Sequence, residues 1–290
     1  MQLGVTFPQT EIGTDIAVLR DYVRTAESSG YTFLTAFDHV LGADAIARSD
    51  WEGHYDHTDA FHEPFVLFGW LAGISSLELM TGVLILPQRQ TVLVAKQAAE
   101  VDVLTGGRLR LGVGVGWNEV EYLGLGMPFH QRGQRLEEQV SLLRRLWTEP
   151  TLSFSGRFDA VDRAGILPQP IQQPIPIWMG SLPGNRRVWE RIGRLSDGWI
   201  SVVQPGPLLE EALATVHKAA EDAGRDPASV GLQTQISVPA DYNIDLIRRE
   251  RDAGREIGAS HVNIDTMRAG RSPQQHIDLI GQLGTLLTES

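Results

Sequence analysis

Short apolar runs alternate with longer amphipathic segments along the whole chain. The first runs are residues 2–7 and 32–39, and segments with an apolar residue every three or four positions follow them at about 14–29 and 62–75. A short apolar run is typical of a buried strand, and the three-to-four-residue period is typical of a helix. The pattern predicts strands at 2–7, 32–39, 77–86, from Arg108 onward, 174–181, 197–203, 230–238 and 259–266, each followed by a helix.

Regular alternation of strands and helices predicts a parallel sheet with right-handed crossovers, and eight such units predict an α/β fold, the closed (β/α)8 TIM barrel. We expect a single domain over residues 1–290, because no change of composition separates the units. Two insertions interrupt the pattern, at 40–61 after strand two and at 149–174 after the fourth helix, 132–147. Loops that follow barrel strands build the active-site mouth, so 40–61 is a candidate lid or substrate wall; a mobile surface loop is the alternative.

The composition excludes several classes of function. The net charge is −11 and the chain contains no cysteine. Nucleic acids and anionic membranes bind basic surfaces, so neither is an expected partner. Thiolate nucleophiles, disulfides and cysteine-ligated metals are excluded. The longest apolar run, 65–74, is too short to span a bilayer, and the amino terminus shows no signal peptide, so we expect a cytoplasmic protein.

Glycine stands at alternate positions in Gly112, Gly114 and Gly116. A dinucleotide-binding loop needs the spacing G-x-G-x-x-G, but Trp117 and Glu119 stand where its third glycine would be, so this interpretation fails. Alternate residues of a strand share a face, so one face of the fourth strand carries no side chains. Such a face lets a ligand or another backbone approach closely. We expect tight packing near the start of the strand and a flat ligand beside Gly114 and Gly116.

Two further stretches carry candidate chemistry. Asp38 and His39 follow strand two, where barrel enzymes usually place catalytic groups, and histidine transfers protons near neutral pH. A pair that only caps the next loop is the alternative. Strand five ends in Gly180 and Ser181 shortly before a helix, where exposed backbone N–H groups can bind a phosphate.

The 40–61 insertion and its flank hold a cluster of potential metal ligands. Their spacing matches no strong metal-binding template, and strand one, 2–7, carries no metal ligand. A solvated loop is therefore the favoured interpretation, and no metal site is predicted. The residues are His54, Asp56, His57, Asp59, His62 and Glu63.

Several motifs together resemble those of the luciferase-like monooxygenase superfamily. They are "DHV" at 38–40, "LPQR" at 86–89, "AKQAAEVDVLTGGRLRLGVGVGW" at 95–117, "PIPIWMGS" at 174–181 and "SDGW" at 196–199. Their order agrees with the order of the predicted barrel strands. The stretches "GVGVGWNEVEY", "RGQRLEEQVSLLRRLW" and "PIWMGS" are most similar to the coenzyme F420-dependent branch.

The resemblance implies a barrel that holds a flavin or deazaflavin at its C-terminal mouth. It implies a non-prolyl cis peptide between Gly82 and Val83, in a bulge of strand three behind the cofactor ring. It also places Asp38 and His39 beside the ring, near the substrate. The other cofactor-binding residues that it implies are Gly114, Gly116, Trp117 and Asn118 along the cofactor, and Met179, Gly180 and Ser181 along its phosphate-bearing chain.

We therefore expect an F420- or FMN-dependent oxidoreductase. The favoured reaction is F420-dependent hydride transfer to or from a small organic substrate, with His39 and Asp38 handling the proton. An FMN-dependent monooxygenase that uses O₂, and a cofactor-binding barrel without turnover, are the alternatives. Sugar-phosphate dehydrogenases of this superfamily carry a catalytic glutamate near the position of Trp117, so that reaction is not expected. Members are commonly dimers, and a homodimer is the expected assembly, with the apolar helix at 65–74 as a candidate contact.

Overall fold

Parallel strands close into a barrel in the structure, a computed structural model that describes residues 1–288. The barrel strands are β1 (Gln2–Thr6), β2 (Phe33–Ala36), β3 (Glu78–Thr81) with its continuation β4 (Leu84–Ile85), β5 (Leu109–Gly114), β8 (Ile177–Ser181), β9 (Gly198–Ser201), β10 (Gly231–Ser237) and β11 (His261–Asp265). They pair in the order β3-β2-β1-β11-β10-β9-β8-β5, and β3 also pairs with β5, which closes the ring. The predicted (β/α)8 barrel is confirmed.

Helices surround the barrel on its outer side. They are α1 (Gln9–Ile12), α2 (Ile16–Ser28), α3 (Pro64–Leu71), α4 (Thr91–Thr105), α5 (Glu119–Gly124), α6 (Arg132–Thr148), α7 (Arg186–Leu195), α8 (Pro207–Asp222), α9 (Ile244–Glu256) and α10 (Pro273–Thr288). Within the described part of the chain, no helix has the length and apolar character that crossing a bilayer requires.

The two faces of each strand pack into different cores. On β5, Leu111 and Val113 are buried in the large core between strands and helices, as their alternation with glycine predicts. A smaller cluster of Phe33, Met80 and Trp178, with Ile200, fills the inside of the barrel. Because the inner wall is filled at this level, ligand space is confined to the ends of the barrel.

The third strand is broken by the bulge that the sequence resemblance implies. The peptide bond between Gly82 and Val83 is cis, and the N–H of Gly82 donates to the Ala36 carbonyl at 2.8 Å. The third strand, predicted at 77–86, is therefore present in two parts on either side of the bulge, because β3 ends at Thr81 and β4 begins at Leu84.

The two insertions lie where the sequence predicts them. The segment between β2 and α3 has no regular secondary structure, and the segment after α6 forms an antiparallel hairpin of β6 (Leu152–Ser155) and β7 (Ala160–Ala164).

The short helix α5 is absent from the sequence-based prediction, which treats its residues as the end of a strand. Asn118 caps this helix by accepting hydrogen bonds from the N–H groups of Val120 at 3.0 Å and Glu121 at 3.4 Å.

Candidate active site

Asp38, just beyond β2, is an ion-pair partner of Arg89. Its Oδ1 atom lies 2.7 Å from Nη2 of Arg89, and its Oδ2 atom accepts from Nε of Arg89 at 3.3 Å and from the Ile85 N–H at 3.0 Å. Arg89 also donates to Glu63 at 2.9 Å. Burial works against the charge of Arg89, but the Asp38 and Glu63 carboxylates outweigh it and raise the pKa of the guanidinium. Asp38 thus fastens β2 to the segment after β4, and among residues 1–288 its side chain has no hydrogen bond to His39; a shared role of the two in proton transfer stays a prediction.

The carboxylate beside His39 belongs instead to Glu121 on α5. The Nδ1 atom of His39 lies 3.1 Å from Oε1 of Glu121. The same oxygen accepts from the N–H of Val40 at 3.0 Å and of Leu41 at 3.3 Å, and the other oxygen accepts from Gln88 at 3.2 Å. Nε2 of His39 has no hydrogen-bond partner among residues 1–288. A neutral imidazole held in this way donates through Nδ1 and accepts through Nε2.

Glu121 is buried yet kept charged. Burial acts to raise the pKa of its carboxyl, but the hydrogen bond and charge of His39, with further bonds from Gln88 and Leu41, outweigh burial and lower it. Its side chain is 1% exposed, whereas that of His39 is 14% exposed. A fixed, ionised carboxylate behind a partly exposed imidazole is an arrangement that orients a general acid–base group.

The 40–61 insertion folds back over His39. Ring centroids of Tyr55 and Phe61 lie 5.0 Å and 4.7 Å from the His39 ring, and Trp117 lies 5.7 Å from it. Trp51 in turn packs on Trp117 at 5.7 Å. The insertion therefore forms a wall of the site around His39, and its contact with a substrate, as a lid or a wall, stays a prediction.

A cavity of about 280 Å³ opens beside His39. Residues 39–42 line one side and 55–61 line the other, and Asn118 completes it. Tyr55 and Phe61 give it aromatic surface, and burial raises the pKa of the Tyr55 hydroxyl, so this side chain stays neutral. The space suits a small organic molecule rather than a macromolecule.

The alternating glycines accommodate protein groups inside the barrel. A Cβ atom on Gly112 would lie 1.9 Å from the Thr81 carbonyl oxygen, and one on Gly114 would lie 2.5 Å from Val83. A Cβ on Gly180 would lie 2.7 Å from Val83 as well. Val83, the bulge residue, therefore fills the space between β5 and β8. Gly116 lies beyond the strand with φ +64°, so the three glycines do not form one continuous bare face.

The other predicted cofactor residues have varied environments. Met179 is buried in the outer core, so its side chain points away from the barrel interior. Ser181 accepts a hydrogen bond from Trp199 Nε1 at 3.0 Å and stays partly exposed beside Gly180. Asn118 uses its side chain to cap α5 and to donate to the Leu41 carbonyl at 3.2 Å. Contact of these residues with a cofactor stays a prediction.

The potential metal ligands of the 40–61 insertion and its flank have separate contacts in the structure. His57 Nδ1 lies 3.3 Å from the Ala43 carbonyl, and His62 Nε2 lies 3.4 Å from the Gly13 carbonyl. His54 packs on the Trp117 ring. Across residues 1–288, no three His, Asp or Glu side chains come together as metal ligands would.

Sequence reasoning missed Glu121, Gln88 and Arg89 as members of the site. The one local signal was Asn118 three residues before Glu121, a spacing typical of a helix N-terminus. That signal predicts α5, but nothing in it indicates that Glu121 turns toward a histidine 82 residues away.

Known proteins with a related sequence or fold include F420-dependent enzymes. An F420-dependent glucose-6-phosphate dehydrogenase of Kribbella flavida is 33% identical over 211 residues, which are 69% of this chain and 62% of that protein. A monooxygenase from Streptomyces bottropensis shares the fold with a TM-score of 0.81 at 16% identity, over 100% of this chain and 99% of that one. An F420-dependent secondary alcohol dehydrogenase, solved with an F420–acetone adduct, matches with a TM-score of 0.76 at 16% identity, over 98% of each chain.

Sequence comparison also identifies the family itself. At 16% identity the two structures show the fold alone. The sequence profile that describes luciferase-like monooxygenases, in contrast, matches residues 1–279. The barrel, the bulge at Gly82–Val83 and the histidine beyond β2 all lie within this span. The chain belongs to the luciferase-like monooxygenase family, and it is a flavin- or deazaflavin-type oxidoreductase.

Proposed function

We propose that the protein transfers a hydride between coenzyme F420 and a small organic substrate at the C-terminal mouth of the barrel. The observation that carries this proposal is His39, held through Nδ1 by the buried Glu121 carboxylate, with Nε2 unpartnered among residues 1–288 and the side chain lining a cavity of about 280 Å³ that Tyr55 and Phe61 also line. Fold alone does not determine a reaction, so the argument depends on this site and on the F420-dependent relative.

The residues at the mouth fit a cofactor with a phosphate-bearing chain. Gly180 and Ser181 at the end of β8 are partly exposed, and α7 begins five residues later without a side-chain cap. Its first turn carries Arg186 and Arg187, both exposed. Uncapped backbone N–H groups with adjacent positive charge favour an anionic group. Val83 and Gly82 are partly exposed on the bulge, where the resemblance expects the ring.

His39 supplies the proton chemistry in this proposal. When bound, F420 supplies a two-electron hydride donor or acceptor, which the side chains of this protein cannot provide. In the oxidation of an alcohol, Nε2 of His39 accepts the hydroxyl proton as the C–H bond gives up its hydride. In the reverse reaction it returns the proton to the carbonyl oxygen. Glu121 stabilises the imidazolium that forms and keeps Nε2 directed at the cavity.

Glucose 6-phosphate is not the proposed substrate. Trp117 packs among His39, Trp51 and His54 at the position where sugar-phosphate dehydrogenases carry a catalytic glutamate. The cavity lining includes Asp56 and Asp59 and no lysine or arginine. A phosphate group in this cavity would meet like charge.

A second candidate is an FMN-dependent monooxygenase on the same scaffold. The family is that of luciferase-like monooxygenases, and the monooxygenase from Streptomyces bottropensis has the same fold. The proposed phosphate-binding residues would accept FMN as well as F420. The two candidate functions therefore differ in the ring of the cofactor that the protein binds and in the length of that cofactor's anionic chain.

Titration with each cofactor tests the proposal directly. F420 is expected to bind more tightly than FMN, measured by quenching of cofactor fluorescence, and a panel of alcohols and ketones is then assayed with the preferred cofactor. Preference for FMN contradicts the choice of F420. Binding without turnover on any substrate indicates a barrel that only binds the cofactor.

The role of His39 is tested by His39→Ala. We expect kcat to fall by roughly 10²–10⁴ while the far-ultraviolet circular dichroism is unchanged, because proton transfer by a positioned side chain contributes about that factor. Full activity in this variant removes His39 from the mechanism.

A further inference from the structure

The opposite, amino-terminal end of the barrel holds two arginines of the "TGGRLR" stretch. Gly106 and Gly107 adopt φ angles of +71° and +82°, which favour glycine and turn the chain sharply into β5. Arg108 and Arg110 follow two residues apart, so their side chains leave the backbone on the same side. That side faces the base of the barrel, where Phe33, Trp178 and other inner residues close the interior.

Arg110 is buried, and one nitrogen of its guanidinium group has no hydrogen-bond partner among the described residues. The group lies 5.1 Å from the centroid of the Phe33 ring and 4.6 Å from that of Trp178. Glu78 accepts from Nε and forms the ion pair with Nη2. The side chain is only 5% exposed, and its Nη1 atom is buried without a hydrogen-bond partner among the described residues. A buried N–H group without a partner is costly, so this atom would gain from an acceptor.

A cavity of about 210 Å³ lies against this arginine. Glu78, Arg108, Arg110 and Trp178 line it together with Gln172 of the second insertion and His261. The Arg108 guanidinium makes no ion pair or hydrogen bond within residues 1–288, and its Nε atom is buried. Two guanidinium groups therefore face one carboxylate, which leaves the cavity with an excess positive charge.

The pKa of the His261 imidazole is also affected by the positive charge around the cavity. Burial, followed by the charges of Arg110 and the amino terminus, lowers the pKa of its imidazole to about 3. At neutral pH the ring is therefore uncharged. The positive charge of the cavity then comes from the two arginines that line it.

We propose that this base cavity binds a small oxyanion, through a phosphate or carboxylate group held between Arg108 and Arg110. Guanidinium groups form strong, often bidentate hydrogen bonds with such groups. A water molecule takes about 30 Å³ of liquid volume, so the cavity has room for an ion of a few atoms and none for a nucleotide. The site shares no residue with the mouth of the barrel, so it does not depend on the proposed function.

The test is a titration of the whole protein with inorganic phosphate, and separately with acetate, at constant ionic strength. Binding is followed by calorimetry and by the rise in Tm that accompanies binding to the folded state. We expect saturable binding. The anion that binds more tightly, phosphate or acetate, shows whether the site prefers a phosphate or a carboxylate group. Arg108→Gln is expected to raise the dissociation constant of that anion roughly tenfold or more, because the variant loses hydrogen bonds between the guanidinium group and the anion.

Two control variants separate this site from other positive surface. Arg163→Gln removes an exposed arginine of β7 whose side chain, among the described residues, pairs only with its neighbour Asp162, and it is expected to bind phosphate like the wild type. The double variant Arg186→Gln, Arg187→Gln removes the charge at the start of α7, where the proposed function places the cofactor phosphate, and it is expected to keep the phosphate binding that Arg108→Gln weakens. Loss of phosphate binding in that double variant but not in Arg108→Gln overturns the proposal, as does the absence of saturable binding.

A local spectroscopic signal keeps the proposal testable if Arg108→Gln does not fold. The imidazole nitrogen signals of His261 in the wild-type protein are expected to shift during the phosphate titration, with the same midpoint as the calorimetric binding. Calorimetric binding that leaves the His261 signals unmoved places the anion elsewhere and contradicts the proposal.

Discussion

At the scale of single residues, two adjacent side chains of the "DHV" motif have separate partners. Asp38 binds Arg89 and the Ile85 backbone, and His39 binds Glu121. Asp38 therefore holds the chain in place, whereas His39 lines the cavity and has no hydrogen-bond partner for Nε2 among residues 1–288. The residue that orients the imidazole lies on α5, which follows a different strand of the barrel.

Glu121→Gln tests this assignment. The amide keeps the size of the side chain but loses the charge that stabilises a protonated His39, so kcat is expected to fall by about tenfold or more with little change in KM. Glu119→Gln is the matched control, because Glu119 lies on the same helix, is exposed and has no hydrogen bond from its side chain among residues 1–288. An equal loss in both variants would show that the effect belongs to α5 as a whole.

At the scale of elements, the glycines of β5 and β8 allow the bulge after β3 to enter the barrel. The bulge carries Val83 into the space beside Gly114 and Gly180, and Gly112 lies against the backbone of Thr81. The alternating glycines are thus explained by close packing of one strand on another. Whether the exposed face of the bulge then contacts a cofactor ring stays a prediction.

Gly112→Ala is expected to destabilise the fold by about 1–3 kcal/mol or more, because the new methyl group meets backbone rather than a movable side chain. Gly69→Ala is the control, since Gly69 lies within α3 and has nothing within 4 Å of its would-be Cβ. Alanine there is expected to be neutral or stabilising by up to about 1 kcal/mol. Urea unfolding measures both values, and similar stabilities for the two variants would argue against tight packing at Gly112.

At the scale of the whole molecule, charged side chains are buried at both ends of the barrel. Carboxylates of Asp38 and Glu121 are buried near the mouth, whereas Arg108 and Arg110 lie at the base beside His261. Burial, followed by the charges of Arg110 and the amino terminus, keeps His261 from taking up a proton in the folded state as it can in the unfolded chain.

This difference predicts a stability that declines in mild acid. His261 has a pKa of about 3 in the folded protein and about 6.5 when unfolded, so the unfolded chain binds the extra proton between these values. The free energy of unfolding is therefore expected to fall as the pH drops from 7 to 5. His261→Gln should lose less stability over that range than the wild type, measured by urea unfolding at both pH values.

The control for this experiment is His217→Gln, which removes an exposed histidine of α8. It is expected to lose as much stability between pH 7 and pH 5 as the wild-type protein. A His261→Gln variant with the wild-type pH dependence would show that another group causes the decline.

The sequence by itself determined the order of strands and helices, the closed barrel, the two insertions and the family motifs. These features follow from local periodicity and from short-range spacing, which the chain displays directly. The position of His39 at the end of β2 follows from the same pattern. The cis bond at Gly82–Val83 was implied by resemblance and is present.

Only the tertiary structure decided which groups meet. The partner of His39 is 82 residues away and that of Asp38 is 51 residues away, and Val83 meets Gly180 across two strands. Such contacts depend on strand register, side-chain direction and the path of irregular loops, none of which has a local signature in the sequence. Barrel closure brings β3 beside β5, and with it the site at the mouth and the charged cavity at the base.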